Sequence, residues 1–266
     1  MKRTYTLITA LLLAAVLLIL AGGCAKRGHR LSEDGVNVDW ARAMDLFERE
    51  RYYRAQQLLK DITLNYSGSA IIDSAYFYLG RCSYELNDYL VAADEFNRVV
   101  SRFPSSTLAG DAAFYEALSY YELAPHYSLD QQFTTKAFDV FQRFLEDYSG
   151  HALSDSAYAY MAAAREKLAL KEYRAAELYY QIGEYASAIL YSQALLSNYY
   201  DTSMAERAQF LIGRSYYRLK DWKRANEELD NYLRRFPDGS KFARATELMQ
   251  VAAQRISDVP ETEASQ

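Results

Sequence analysis

Two cysteines and three histidines are the side chains in this 266-residue chain most suited to covalent or metal chemistry. Their placement narrows what that chemistry can be. Cys24 closes the stretch LAGGC, where small neighbours leave its thiol open to a modifying enzyme. Cys82 lies inside a helical pattern and reads as a small core residue. His29, His126 and His151 are far apart, and none makes a metal spacing with Cys82. No glycine-rich phosphate loop, nucleophile elbow or two-histidine metal helix is present. Acidic runs such as NEELD (226–230) read as solvated helix faces. Catalysis is therefore not expected, and neither is a cofactor or a metal. The chain is rich instead in groups that recognise other molecules. It has 25 tyrosines, which give a large contact area with a polar tip. Arg81 and Arg214 can each hold a carboxylate through two parallel hydrogen bonds. The net charge of −5 argues against nucleic acid, whose binding depends on clustered cations.

The elements that must position these groups are written twice. LGRCSYELNDY (79–89) returns as IGRSYYRLKDW (212–222), and the match runs without a gap from 74–104 to 207–237. Gly80 and Gly213 carry no side chain, so two helices can approach closely there, with Ala92 and Ala225 facing them from the second helix. Tyr89 and Trp222 fill the turn side. Phe96 and Leu229 are expected at the seam to the next repeat. Pro104 and Pro237 are expected to stop the second helix. Weaker copies occupy 40–69, 111–150 and 183–202, the middle one interrupted by an insertion that holds Pro125. No glycine or proline falls between Gly150 and Gly183, which predicts one helix of about 40 Å as the start of the fourth repeat. The alternation that strands require is absent over long stretches, and helix formers dominate. The pattern is similar to the tetratricopeptide repeat, a helix–turn–helix of about 34 residues. It predicts an all-α tetratricopeptide-repeat solenoid of about five helix pairs, with a long fourth-repeat helix and a C-terminal helix reaching about Ile256. An N-terminal lobe is expected over 37–150 and a C-terminal lobe over 151–256, followed by a disordered tail over 257–266.

The first 23 residues read as an export signal: MKR, an apolar run from Leu7 to Leu20 that is short for a membrane span, then small residues. With Cys24 they resemble the lipobox of bacterial lipoproteins, although Ala21 stands where that motif usually has Leu. The resemblance implies that Cys24 is acylated and becomes the mature N-terminus. Several acyl chains, at about 0.8 kcal/mol per buried CH₂, would hold a soluble domain on a bilayer. Ala25 follows Cys24 and, by resemblance to enteric sorting rules, implies the outer membrane. Residues 24–36 are polar and read as a flexible tether. Removing the leader, which carries Lys2 and Arg3 and no acid, takes the net charge from −5 to −7.

Anchor, insertion and long helix together are similar to the BamD family, the repeat lipoproteins of the outer-membrane β-barrel assembly machinery. That family carries a segment met here as Leu168, Ala169, Glu172, Ala176, Glu177, Tyr179, Tyr180, Gly183 and Tyr185. The resemblance covers roughly 37–256. It implies a non-enzymatic scaffold on the periplasmic face of the outer membrane. The implied partners are the periplasmic domains of the barrel-forming assembly protein, unfolded outer-membrane protein precursors, and the membrane through the lipid; nucleic acid is not among them. An anchored scaffold for peptidoglycan or cell-division proteins is the alternative that periodicity alone leaves open.

In a tetratricopeptide stack the first helices line the inner face. Register places Trp40, Phe47, Phe77, Arg81, Tyr84, Phe114 and Tyr121 there, and the aromatic-rich ends of barrel precursors suggest these residues as a peptide groove. Arg207, Phe210, Arg214 and Tyr217 take the same register in the fifth repeat. By resemblance, contact with the barrel protein is expected on the C-terminal lobe, with Arg214 and Tyr217 as partner-binding residues. Rings at helical spacing also serve as packing, and the arginines can pair with Glu85 or Glu122.

Overall fold

The computed structural model describes residues 33–258, and eleven α-helices fill these residues without a strand. The expected signal peptide, the expected lipidation site Cys24 and the end of the tail lie outside the described residues. The chain divides into two compact units, one ending at Ala75 and one beginning at Tyr76.

The first unit holds α1 (Glu33–Glu48), α2 (Tyr52–Asn65) and the first turn of α3 (Ile72–Glu85). Val36 and Ala43, seven residues apart on α1, are buried together with Ala55, Leu59 and Ile62 of α2. This corrects the tether boundary. Residues 33–36 are helical and Val36 is only 4% exposed, because it extends the apolar stripe of α1 by one turn.

The second unit continues α3 and adds α4 (Tyr89–Arg102), α5 (Ala109–Glu122), α6 (Gln132–Asp147), α7 (Ser154–Gln181), α8 (Tyr185–Asn198), α9 (Ser203–Arg218), α10 (Trp222–Arg235) and α11 (Phe242–Ser257). From α4 onward each helix packs on the next, and α5, α7, α9 and α11 also touch in succession. At 28 residues α7 is about 42 Å long, as the breaker-free stretch predicts. The insertion after α5 lies against it. Lys171 Nζ donates to the Leu129 carbonyl at 2.8 Å and Lys167 Nζ to that of Ala124 at 3.3 Å. Gln131 closes the same loop by donating to the His126 carbonyl at 2.9 Å.

Two local rules recur along the chain, the first in four repeats and the second in all five. At the turn inside a hairpin, one residue adopts a left-handed conformation: Glu50 (φ 57°), Asn87 (62°), Gly183 (90°) and Lys220 (60°). The next residue's N–H donates back five positions, as from Asp88 to Ser83 (2.8 Å) and Asp221 to Tyr216 (3.0 Å), which is the Schellman closure. The third repeat alone replaces this turn, with its insertion. The second helices all end on an aromatic residue, namely Tyr66, Phe103, Tyr148, Tyr199 and Phe236, with φ between −121° and −133°. Each aromatic donates its N–H four residues back. Proline follows in only two of the five, so the expectation that Pro104 and Pro237 stop the helix needs revision. The shared aromatic marks the end, and proline excludes continuation where it occurs.

Gly80 and Gly213 sit where the hairpin helices cross. A methyl group at Gly80 would lie 2.8 Å from the Phe96 ring, and one at Gly213 would lie 2.8 Å from Leu229. Phe96 and Leu229 therefore fill the crossing itself as well as the seam. Phe96 also stacks on Tyr115 of α5, and Leu229 clusters with Ala245 and Leu248 of α11. Gly213→Ala is expected to cost about 1–3 kcal/mol in urea unfolding, as overpacking does. Gly68→Ala, where a methyl meets no atom within 4 Å, is expected to change stability little.

Candidate functional site

The residues singled out by register separate into two sets once side chains are placed. Phe77 and Phe114 are each 5% exposed and belong to the core, which corrects their assignment to a groove. Phe77 meets Phe96 edge-on at 5.7 Å, and Phe114 meets Phe141 and Phe144. Both fall one helical step inside the exposed face, where the neighbouring second helix covers them. Trp40 and Phe47 are half-buried on α1 in the first unit, with Phe47 edge-on to Tyr52 at 5.4 Å.

Arg81, Tyr84 and Tyr121 remain at the surface of the second unit. The Arg81 guanidinium lies 4.4 Å over the Tyr115 ring, and its Nη2 is 3.2 Å from Glu85 Oε1. Tyr84 packs edge-on against Tyr89 and Tyr115. Burial, and then the Glu122 carboxylate, push its phenol up, so it remains a neutral donor. Tyr121 meets Tyr160 at 5.0 Å, with Lys167 Nζ 5.6 Å from its ring. These are planar rings with cations laid over them, an arrangement that can receive an aromatic or a carboxylate-bearing chain.

A second and more cationic surface lies among α7, α9 and α11. Arg214 is 4.4 Å over Tyr180 and 5.6 Å from the Phe210 ring centroid. Arg218 lies over Tyr185 at 5.2 Å and Arg207 over Tyr173 at 5.9 Å. Tyr217 packs on Trp222 at 5.2 Å. Two cavities of about 440 and 380 Å³ open here and share Phe210, Arg214 and Lys241. The first also takes in Arg218 and Arg244. Register pointed to Arg207, Arg214 and Tyr217 but missed Arg218, Lys241 and Arg244. The spacing of RAQFLIGRSYYR would have brought out Arg218, one turn beyond Arg214.

Lys241 is held in place by a knot at the start of α11. Tyr232, fully buried on α10, donates its O–H to Glu206 Oε1 at 2.9 Å and accepts the Lys241 N–H at 3.0 Å. Ser240 donates its N–H and hydroxyl to the same carboxylate oxygen at 2.7 and 2.9 Å. Burial pushes the Tyr232 phenol up to about 12, which keeps it protonated. Burial also pushes the Glu206 carboxyl up, but the hydrogen bonds from Tyr232 and Ser240 outweigh it and hold the group below its usual 4.5. Among the described residues no cluster of three or more His, Cys, Asp or Glu side chains could hold a metal ion. No described helix is long and apolar enough to cross a membrane.

Fold and surface together define a tetratricopeptide-repeat protein, and a tetratricopeptide-repeat model matches residues 207–239. A family model described as YfiO, outer membrane lipoprotein, matches residues 36–219, more than half of the chain, and the protein belongs to that BamD-like family. No relative among curated proteins matches the chain. Solved structures similar to it include the TPR2AB domain of yeast Sti1 in a pHSP90 complex, at 11% identity and TM-score 0.42, covering 85% of this chain and 86% of that one. A thermophilic tetratricopeptide protein of Thermus thermophilus, TTC0263, is 13% identical at TM-score 0.35, with 81% and 99% covered. MamA AMB-1 is 15% identical at TM-score 0.34, with 86% and 100% covered. All three scores are below 0.5.

A carboxylate held below its ordinary value stabilises the fold above that value and loses the contribution as pH falls through the lowered one. The stability gap between wild type and Glu206→Gln is therefore expected to be full at neutral pH and to narrow below about pH 4.5. Thermal unfolding of both chains across that range checks it.

Proposed function

We propose that this protein is a lipid-anchored periplasmic scaffold of the outer-membrane β-barrel assembly machinery. In this reading Cys24 carries the acyl anchor. The C-terminal part of the stack meets the periplasmic domains of the barrel-forming assembly protein through Arg214 and Tyr217. Arg81, Tyr84 and Tyr121 offer a shelf to unfolded barrel precursors, and Trp40 and Phe47 offer a separate contact on the first unit. The observation that carries the reading is the outer-membrane lipoprotein family match over residues 36–219. The placement of arginines over tyrosines on first helices supports it. Such surfaces suit polypeptides that bring both rings and carboxylates.

The test is co-purification of the full chain from membranes. Recovery of the barrel-forming partner is the expected outcome, and recovery of murein enzymes in its place would overturn the proposal. Mass spectrometry of the same material is expected to find an acylated Cys24 at the N-terminus. For the precursor shelf, Arg81→Ala is expected to weaken binding of an aromatic-ended precursor peptide about tenfold, a loss of about 1.4 kcal/mol, with helicity unchanged. An unchanged affinity would remove Arg81 from the shelf.

A further inference from the structure

Glu116 stands where an apolar residue belongs. Ala112 and Phe114 align with Ala75 and Phe77 of the second repeat, and with Ala208 and Phe210 of the fifth. That register puts Glu116 in the place of Leu79 and Ile212, each 2% exposed, and it is buried as deeply, at 3%. It lies on α5 against α4, at the seam between the second and third repeats. Ala112, one turn before it, packs there with Phe96 and Val99. Among the described residues its side chain has one hydrogen-bond partner, Asn97 of α4. Asn97 Nδ2 donates to Glu116 Oε1 at 3.2 Å and to Oε2 at 3.3 Å. Two oxygens thus share one nitrogen, and the Asn97 carbonyl oxygen has no donor to accept from a carboxylate. Lys136 and Arg143 of α6 attract the charge from a distance. Glu95 and Arg98 of α4 pair with each other. Tyr120, one turn on, has its phenol pushed up by burial, then by Glu116 and by Asp94 of α4. No group of α7 acts on Glu116.

We infer that Glu116 is a proton-operated latch: charged, it leaves the seam between α4 and α5 free to open, and protonated, it closes that seam beneath Arg81, Tyr84 and Tyr121. The seam carries those residues directly. Tyr115, next to Glu116 in the chain, stacks on Phe96 of α4 at 5.5 Å, and it bears the Arg81 guanidinium at 4.4 Å and the edge of Tyr84 at 5.9 Å. Protonation puts an O–H on one carboxyl oxygen. That O–H donates to the Asn97 carbonyl oxygen, while the other oxygen still accepts from Nδ2. The pair then makes two ordinary hydrogen bonds and buries no charge. Burial holds the carboxyl above its usual 4.5, against the pull of Asn97, Arg143 and Lys136. A carboxyl raised in the folded chain costs stability above the raised value, and the cost vanishes as pH falls to the unfolded value. The sign is opposite to that of Glu206, so mild acid strengthens this seam while it weakens the knot at the start of α11.

The latch rests on the assembly reading only for the shelf it serves. Its test needs no partner, so the two can fail separately. Hydrogen exchange of the full chain in detergent is followed near pH 7.5 and near pH 4.5, with intrinsic rates corrected. Residues 92–102 and 112–121 of the wild type are expected to gain about fivefold in protection at the lower pH. Glu116→Gln keeps the shape without the charge. It is expected to show the higher protection at both pH values, with a Tm above that of the wild type at the higher pH and equal to it at the lower. Glu85→Gln removes a carboxylate from the pair with Arg81 and is expected to leave the pH-dependent gain at 92–102 intact. A carbon-13 titration of the wild-type glutamate carboxyls reads Glu116 directly, and a midpoint above 4.5 is expected. A midpoint at or below 4.5 would overturn the latch even if the variant failed to fold. So would lower protection of Glu116→Gln than of the wild type at neutral pH, or a gain in protection with acid that Glu116→Gln shares.

Discussion

The structure depends on a close approach of helices that leaves no room for a side chain. Where Gly80 faces Phe96 and Gly213 faces Leu229, one methyl group would come to 2.8 Å. These two hairpins close around the contact, and the left-handed residue at the turn of each, Asn87 or Lys220, sends the second helix back along the first. Three of the four residues at such turns are not glycine, so the turn imposes backbone strain that packing must offset. Because a single hairpin cannot bury both of its faces, the contact has meaning only in a stack. Phe96 and Leu229 show this, since each fills its own crossing and also meets the next first helix.

From that packing follows the division of labour between helices. In the second unit the second helices sit between successive first helices, while α5, α7, α9 and α11 touch one another along a common surface. Arginines on these helices lie across the tyrosines of neighbouring repeats. Arg81 reaches forward onto Tyr115, and Arg214 reaches back onto Tyr180, both at 4.4 Å. The many tyrosines thus have a mechanical reason. They are large enough to seal repeat seams and polar enough at one end to remain at a wet surface. The insertion and the long α7, the two features that depart from the repeat, are bonded to each other through Lys167 and Lys171.

Much of this was legible in the residues, for reasons that can be named. The gapless recurrence from Ala75 to Pro104 fixed the hairpin register, and the absence of breakers between Gly150 and Gly183 announced α7. Register also identified Arg81, Tyr84, Arg214 and Tyr217 as surface groups. It failed for Phe77 and Phe114, because a first helix has a covered flank as well as an open one, and a position near the boundary is settled by the neighbour's bulk. It failed at residues 33–36 because Gly35 and Asn37 obscured the stripe that Val36 continues. Lys241 and Arg244 were invisible because they join the site only through the Tyr232–Glu206–Ser240 knot, a contact between residues far apart in sequence. Proline drew attention from the aromatic residue before it, which is the feature shared by all five helix ends.

The central claim is that the surface formed by successive first helices, and not the outer second helices, receives other polypeptides. Hydrogen exchange of the full chain, alone and with the partner that co-purifies from membranes, tests this most directly. The account predicts new protection over 207–218 and 241–248, with 222–235 unchanged. Protection confined to α8 and α10, with 207–218 exchanging as in the free chain, would contradict it.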